Sequence, residues 1–250
     1  MFMKEIDKVK YFDISEISGI LHDRFNDTEL IMKFEIGEIK GKKVDNQWYA
    51  KKKDIEEYQE ALTQKIVYFT NGHTINLTKT QLNGRILDIG GGGEGVIGQY
   101  AGNNVVAIDP SERELRGPPG EYLRIIMDGK NLKFLNETFD TVTAFFTFMY
   151  IPIEEHKLVF NEIYRVLKKN GTFLFWDLNV PKKFEEGKEV YAVRLEVDIG
   201  RKIISTGYGT KWNKELDINH YVQIGNDIGF KVIHKEKVNN DIFFIEFLKD

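Results

Sequence analysis

At 250 residues, with 42% hydrophobic and 30% charged side chains, the chain can bury one large α/β domain or a core with an appendage. A net charge of −4 offers no broad attraction for nucleic acid, and the lack of Cys excludes disulfides, thiolate metal sites and a cysteine nucleophile. The amino-terminal MFMKEIDKVKYFD holds no apolar run long enough for a signal peptide, and no later stretch approaches membrane-span length, so a cytoplasmic protein with no membrane partner is expected.

Residues 1–80 read as an N-terminal α+β extension, a lid or substrate-binding appendage. Leu30 to Gly37 alternates as a strand does, and Gln47 to Lys51 can pair with it around a turn at Gly41 to Asn46. Asp54 and Glu57 have capping-box spacing for a helix over Ile55 to Phe69, which Asn71-Gly72 breaks. Lys40, Lys42, Lys43 and Lys51 to Lys53 make a local positive stretch, best explained as a lysine-protected hairpin edge.

From residue 81 the alternation of strand and helix becomes regular. Ile86 to Ile89, Val105 to Asp109, Leu123 to Met127, Phe139 to Phe146 and Thr172 to Asp177 are five short apolar runs of buried parallel strands. Glu154 to Lys169 is amphipathic, with Val159, Ile163, Val166 and Leu167 on one face and Asn170-Gly171 ending it. A β-hairpin about Gly200-Arg201 lies in an insert near 178–216, followed by a helix from Asp217 to Gly229. Two closing strands, Phe230 to Val238 and Asp241 to Leu248, flank Asn239-Asn240, a pair suited to a tight turn with positive φ. The expected fold is α/β: a doubly wound, Rossmann-like, mostly parallel seven-stranded sheet ending in an antiparallel hairpin, with residues 81–250 as the core domain.

The chemistry concentrates where Ile86-Leu-Asp-Ile-Gly-Gly-Gly-Gly-Glu-Gly95 joins the first of these strands to the next helix. Glycines there permit a sharp turn and close approach of a ligand to the main chain, while Asp109, about twenty residues on, is placed to accept hydrogen bonds from a ribose diol. Asp88, immediately before the glycines, would repel a pyrophosphate but suits the ammonium of an amino-acid moiety. Asp128-Gly129 follows the third strand at the spacing at which an adenine amine can be read, although an ordinary turn uses the same pair. A nicotinamide-dependent oxidoreductase is disfavoured by Asp88 and by the lack of a Tyr-x-x-x-Lys pair near the fourth or fifth strand.

With these residues in view the chain resembles the class I S-adenosylmethionine-dependent methyltransferase superfamily over Leu82 to Asp177. Ile86-Leu-Asp-Ile-Gly-Gly-Gly, Val106-Ala-Ile-Asp109-Pro110 and Ile126-Met-Asp128-Gly129 are similar to its first three motifs. Leu132 to Val142 and Glu162 to Gly171 are similar to its approaches to strands four and five. The resemblance implies S-adenosylmethionine as cofactor and S-adenosylhomocysteine as product. It implies that Asp88, Gly90, Gly91 and Gly92 approach the methionine moiety, that Asp109, with Pro110 beside it, binds the ribose, that Met127, Asp128 and Gly129 hold adenine, and that Phe145 and Phe146 line the sulfonium side. One departure stands in the first motif: the next glycine is expected two residues after Gly92, where Glu94 lies between Gly93 and Gly95, so the loop is shifted or one residue longer.

No catalytic residue is identified. Tyr150 and His156, near the exit of strand four, are candidates for a base, with an exposed position in the first helical turn the plainer reading of His156; Asp177 and His73 are weaker. Scattered histidines imply no metal site. Trp48, Tyr49, Tyr68, Tyr191, Tyr208 and Trp212 can form a lid or wall, or simply pack. A small-molecule acceptor is expected; the alternatives are a tRNA or protein methyltransferase and a non-catalytic S-adenosylmethionine-binding scaffold or regulatory subunit. Oligomeric state and acceptor atom are not encoded in any motif.

Overall fold

The structure, a computed structural model, describes residues 4–6, 9–21 and 24–250. The chain divides into two compact units at Val67/Tyr68. The expected division at residue 80 therefore lies 13 residues too late, because His73–Asn76 is a strand of the second unit, paired in parallel with Leu195 to Asp198.

In the first unit, strands β1 (Lys4–Ile6) and β2 (Val9–Asp13) precede helices α1 (Ile14–Ile20) and α2 (Asp27–Glu35); β3 (Lys42–Val44), β4 (Gln47–Ala50) and helix α3 (Lys52–Ile66) follow. The strands form a four-stranded sheet in the order β1-β2-β4-β3. The strand expected at Leu30 to Gly37 is instead part of α2. Asn26 and Glu29 form a reciprocal capping box, and Leu30 and Phe34, four apart, share the buried face. The residues that gave the alternation its other two apolar positions, Met32 and Ile36, are 61% and 59% exposed. Gln47–Ala50 therefore pairs with Lys42–Val44, across Asp45 and Asn46 at φ +50° and +67°. Helix α3 begins before Asp54, which occupies its first turn rather than its cap, and Glu57 binds Lys40 at 2.9 Å instead of closing a capping box. Lys52 and Lys53 pair with Glu56 and Glu57, so much of the positive stretch is neutralised on its own surface.

The second unit opens with β5 (Val67–Phe69) and β6 (His73–Asn76). It continues through β7 (Ile86–Ile89), α4 (Val96–Ala101), β8 (Val105–Asp109), α5 (Glu112–Arg116), β9 (Leu123–Ile126), β10 (Phe139–Phe145), α6 (His156–Val166) and β11 (Leu167–Leu178). A hairpin, β12 (Val190–Asp198) and β13 (Ile203–Lys211), precedes α7 (Ile218–Ile228), β14 (Phe230–Lys237) and β15 (Ile242–Lys249). Seven strands form one sheet in the order β14-β15-β11-β10-β7-β8-β9, all running the same way except β15, which is antiparallel to both its neighbours β14 and β11. Every residue of β7 is buried, as its unbroken apolar run requires of a central parallel strand. The order reverses about β7 and β10, and a crevice at such a switch point is where open α/β sheets bind ligands.

Helix α6 buries Val159, Phe160, Ile163 and Val166 on one face but stops at Val166, since Leu167 already belongs to β11; Asn170, at φ +60°, sits in an irregular start to that strand rather than ending the helix. Helix α7 is bounded as expected: Asp217 accepts from the amides of Asn219 and His220, and Gly229 closes it at φ +111°. The β14–β15 turn differs from the tight positive-φ form. Neither Asn239 nor Asn240 has positive φ; the Asn239 side chain instead accepts from the amides of Asp241 and Ile242. The β12–β13 hairpin joins β5 and β6 in a separate sheet, and its insert is pinned at the base by two backbone hydrogen bonds between Val180 and Leu216.

Candidate active site

A cavity of about 560 Å³, within the usual ~300–1,000 Å³ of small-ligand sites, opens at the carboxyl ends of β7, β8 and β10. Its floor is the loop from Gly90 to Gly95. Gly90, Gly93 and Gly95 take φ of +70°, +59° and +59°, a region that side chains resist. Gly91 and Gly92 are small for a different reason: a Cβ on Gly91 would lie 2.6 Å from Asp88 Oδ2 and 2.7 Å from Ala107, and one on Gly92 2.9 Å from Asp109 Oδ2. The loop therefore hugs two strand-end carboxylates. At the point where the first motif departs, Gly95 is the left-handed cap of α4, and its carbonyl accepts the Gln99 amide at 2.8 Å.

Three acids stand around this floor, each positioned by a strand end. Asp88 is buried, accepts from Thr143 Oγ1 at 2.7 Å, and is pushed up to about 7 by burial, against the Thr143 hydrogen bond and with a contribution from Asp109. Asp109 ends β8; the Ser111 amide donates to its Oδ1 at 2.7 Å, and partial burial raises its pKa despite that bond and the nearby Gly92 amide. Asp128 is exposed and accepts from the Lys130 amide at 2.9 Å, so it does form the ordinary turn while also edging the cavity beside Met127 and Gly129.

The opposite wall is aromatic. Phe145 and Phe146 end β10, with Phe146 held at φ +54°, an uncommon conformation for an aromatic residue, by its amide on the Trp176 carbonyl and by a parallel stack on Tyr208 at 4.8 Å. Thr147 donates to the Ile89 carbonyl at 2.9 Å and packs against Gly90, tying β10 to the glycine loop. Tyr150 follows. It lines the cavity although the residue as a whole is 59% exposed; burial of its hydroxyl, with Asp177, Glu94 and Glu114, pushes its pKa up to about 12 against the Gly209 backbone. Tyr208, from β13, is likewise raised, foremost by burial and then by Glu94.

The family model described as Methyltransferase domain matches residues 87–175, the stretch from the glycine loop to β11. Over that stretch the chain is similar to methyltransferase domains, and its fold is that of S-adenosylmethionine-dependent methyltransferases. Its fold is similar to that of the crystal structure of an S-adenosylmethionine-dependent methyltransferase from Methanosarcina mazei, at TM-score 0.51 and 16% identity over 69% of this chain and 95% of that one. A putative S-adenosylmethionine-dependent methyltransferase from Listeria monocytogenes aligns at TM-score 0.48 and 15% identity, over 67% and 90%. The sterol 24-C-methyltransferase of Kluyveromyces lactis is 28% identical over 131 residues, 47% of this chain and 35% of that protein, so the match spans about a third of the relative's length.

S-adenosylmethionine, the cofactor of the proteins this domain is similar to, fits the cavity on its own terms: a floor of glycines that leaves room against the main chain, the carboxylates of Asp88 and Asp109 beside it, and, among the described residues, no cationic side chain on the walls. All eleven residues expected at the cofactor site line this one cavity, Pro110 among them.

The candidate bases fare differently. His156 is neither exposed nor on the cavity wall. It is fully buried, its Nε2 faces the carbonyls of Phe148 and Ile151 at 3.1 Å each, and its Nδ1 lies 3.0 Å from His220 Nε2. That geometry requires the proton on Nε2, and burial lowers its pKa to about 4, so it braces the β10 exit and is not available to a substrate. Asp177 is buried beneath the same segment, accepting from the amides of Met149 and Leu178, and His73 binds Asp241 at 3.0 Å away from the cavity. Of the six aromatics suggested as lid or wall, only Tyr208 reaches the cavity. Tyr68, Tyr191 and Trp212 pack on one another, and Trp48 and Tyr49 belong to the first unit. Glu94, Glu114 and Thr147 are wall residues that no motif marked.

Proposed function

We propose that the protein transfers a methyl group from S-adenosylmethionine to a small molecule. The observation that carries this reading is the second unit's cavity of about 560 Å³, lined on the side facing the glycine cradle by the β13 residues Gly207 and Tyr208 together with Tyr150, a size suited to a cofactor and a small acceptor rather than to a polymer. Among the described residues no Lys or Arg lines its walls, which further disfavours a nucleic-acid phosphate chain as the ligand there.

When bound, the cofactor supplies an already activated methyl group on a sulfonium. The chain's own task is to hold and align, which for an in-line displacement is most of the work. Asp109 accepts the two ribose hydroxyls, Met127 and Asp128 flank the adenine, Gly90 to Gly92 let the methionine portion lie against the main chain, and Asp88 orients its ammonium. Phe145 and Phe146 exclude water from the reacting side. The decisive experiment uses labelled S-adenosylmethionine and a cell extract split by size. The label should pass to the small-molecule fraction; transfer confined to protein or RNA contradicts the reading.

A further inference from the structure

We propose that Lys214 is a positioning residue for methyl transfer: with Thr210 it grips the Met149 carbonyl and so fixes where Tyr150 and Ile151 stand on the cavity wall. This role rests on the methyl-transfer reading above and gives the hairpin insert a task beyond supplying Tyr208.

Strand β10 ends at Phe145, and the chain makes a single tight turn, Phe148–Tyr150, before it reaches α6. Tyr150 and Ile151 line the cavity, while Phe148 and Met149 are fully buried. The turn has two backbone hydrogen bonds of its own, from the Tyr150 amide to the Thr147 carbonyl and from the Ile151 amide to the Phe148 carbonyl, too few to hold one turn in place. Its other polar groups are held from outside. Asp177 of β11 accepts the Met149 amide at 3.1 Å, and His156 of α6 faces the carbonyls of Phe148 and Ile151. The Met149 carbonyl takes two donors from the insert, Thr210 Oγ1 at 2.8 Å and Lys214 Nζ at 2.7 Å. Both lone pairs of that oxygen are occupied, which fixes the orientation of the peptide that leads into Tyr150.

Lys214 is the less expected of the two donors. Thr210, buried and neutral, already satisfies the carbonyl. Lys214 adds a partly buried ammonium that makes no ion pair among the described residues, and burial lowers its pKa against the pull of Asp177 and Glu154. Withdrawing an ammonium from water without a carboxylate partner does not favour folding. What it supplies is a charge-assisted hydrogen bond, stronger than that of a hydroxyl, on one chosen peptide. Its reach is set by anchored neighbours. The Trp212 amide donates to the Glu189 carbonyl at 2.7 Å and its indole to the Pro181 carbonyl at 2.8 Å, while Leu216 exchanges two backbone hydrogen bonds with Val180. A donor on so fixed a base holds the turn more closely than the turn holds itself. Because a wall misplaced by about 1 Å can lower a rate by about 100-fold, the clamp acts on transfer without touching the acceptor. The glycine floor packs on Asp88, Ala107 and Asp109 instead, so product affinity is set apart from it.

The test uses Lys214→Met, Thr210→Val and Thr210→Ser in the full chain. Each is measured for its urea unfolding midpoint, calorimetric affinity for S-adenosylhomocysteine, amide hydrogen exchange over Phe148–Ile151, and label transfer from S-adenosylmethionine across a dilution series of the small-molecule fraction of a cell extract. K214M and T210V should keep product affinity within about twofold of wild type, exchange at least about tenfold faster at Met149 and Tyr150, and need at least about tenfold more extract for half-maximal transfer. T210S, which keeps the hydroxyl, should match wild type, and the K214M midpoint should not fall. Unchanged transfer or unchanged exchange in K214M and T210V overturns the proposal. So does a parallel fall of midpoint, product affinity and transfer, which is what a merely structural contact would give. A wild type that binds S-adenosylhomocysteine but labels no small molecule overturns the methyl-transfer reading instead, and the exchange data, which need no acceptor, then decide for or against the clamp.

Discussion

The two halves of the cavity are built in opposite ways. The floor, from Gly90 to Gly95 with Asp88 and Asp109, is made of backbone and of strand-end carboxylates within 22 residues of one another, and its shape follows from what the glycines lack. The far wall is made of large side chains, Phe146, Tyr150 and Tyr208, drawn from β10, its exit and a hairpin some 60 residues later, and its shape follows from packing. A main-chain cradle tolerates little variation because a Cβ at Gly90, Gly91, Gly92 or Gly95 is a collision. A wall of side chains can be rebuilt for a new ligand without disturbing the sheet. The cofactor half is therefore expected to be rigid in sequence and the acceptor half to be where specificity resides.

Substitutions in the floor give the sharpest contrast. Gly91→Ala places a methyl group 2.6 Å from Asp88 Oδ2 and 2.7 Å from the Ala107 Cβ, neither of which can retreat, so the loop must move and affinity for S-adenosylhomocysteine should fall by about 100-fold or more. Gly93→Ala meets nothing within 4 Å and suffers only its φ of +59°, about 1–2 kcal/mol of local strain. Calorimetric titration of the two variants should show this order; equal losses would mean that the floor is not shaped by the contacts described here.

A smaller effect separates the buried brace from the cavity. His156 is held neutral, with its pKa lowered from 6.5 to about 4. The unfolded chain takes up a proton as pH falls below 6.5 and the native state does not until about 4, so this group's contribution to stability declines across that window by about 1.4 kcal/mol per pH unit. Denaturant unfolding of wild type and His156→Gln should therefore give a stability difference that narrows from pH 6.5 to 4. Asp88 and Asp177 are raised and act with the opposite sign in both proteins, so they cancel in that difference. A difference independent of pH would contradict the neutral buried imidazole.

What could be read from residue order follows the same division. The parallel strands β7, β8 and β10 announce themselves because a strand buried on both faces must be apolar throughout, and Asp109 is visible because its place at a strand end has a chemical reason. Helix α2 was hidden because Leu30, Met32, Phe34 and Ile36 satisfy a period of two, while Leu30 and Phe34 alone also satisfy a helical turn, and only packing chooses. Tyr208 reaches the cavity only because the β12–β13 hairpin stacks it on Phe146, a long-range contact that leaves no local trace. His156 looked like a surface residue because it follows the charged pair Glu154 and Glu155; the carbonyls and the histidine that surround it come from Phe148, Ile151 and His220.

The account stands most directly on Asp109. One oxygen already accepts the Ser111 amide, the carboxylate faces the cavity beside the Gly92 floor, and the ribose hydroxyls are its proposed partners. Calorimetric titration of wild type and Asp109→Ala with S-adenosylhomocysteine is the measurement that tests it. One site per chain is predicted, with affinity at least about tenfold weaker in the variant, as the loss of two hydrogen bonds to a charged group requires. Absence of binding to wild type, or equal affinity in both proteins, would contradict the account.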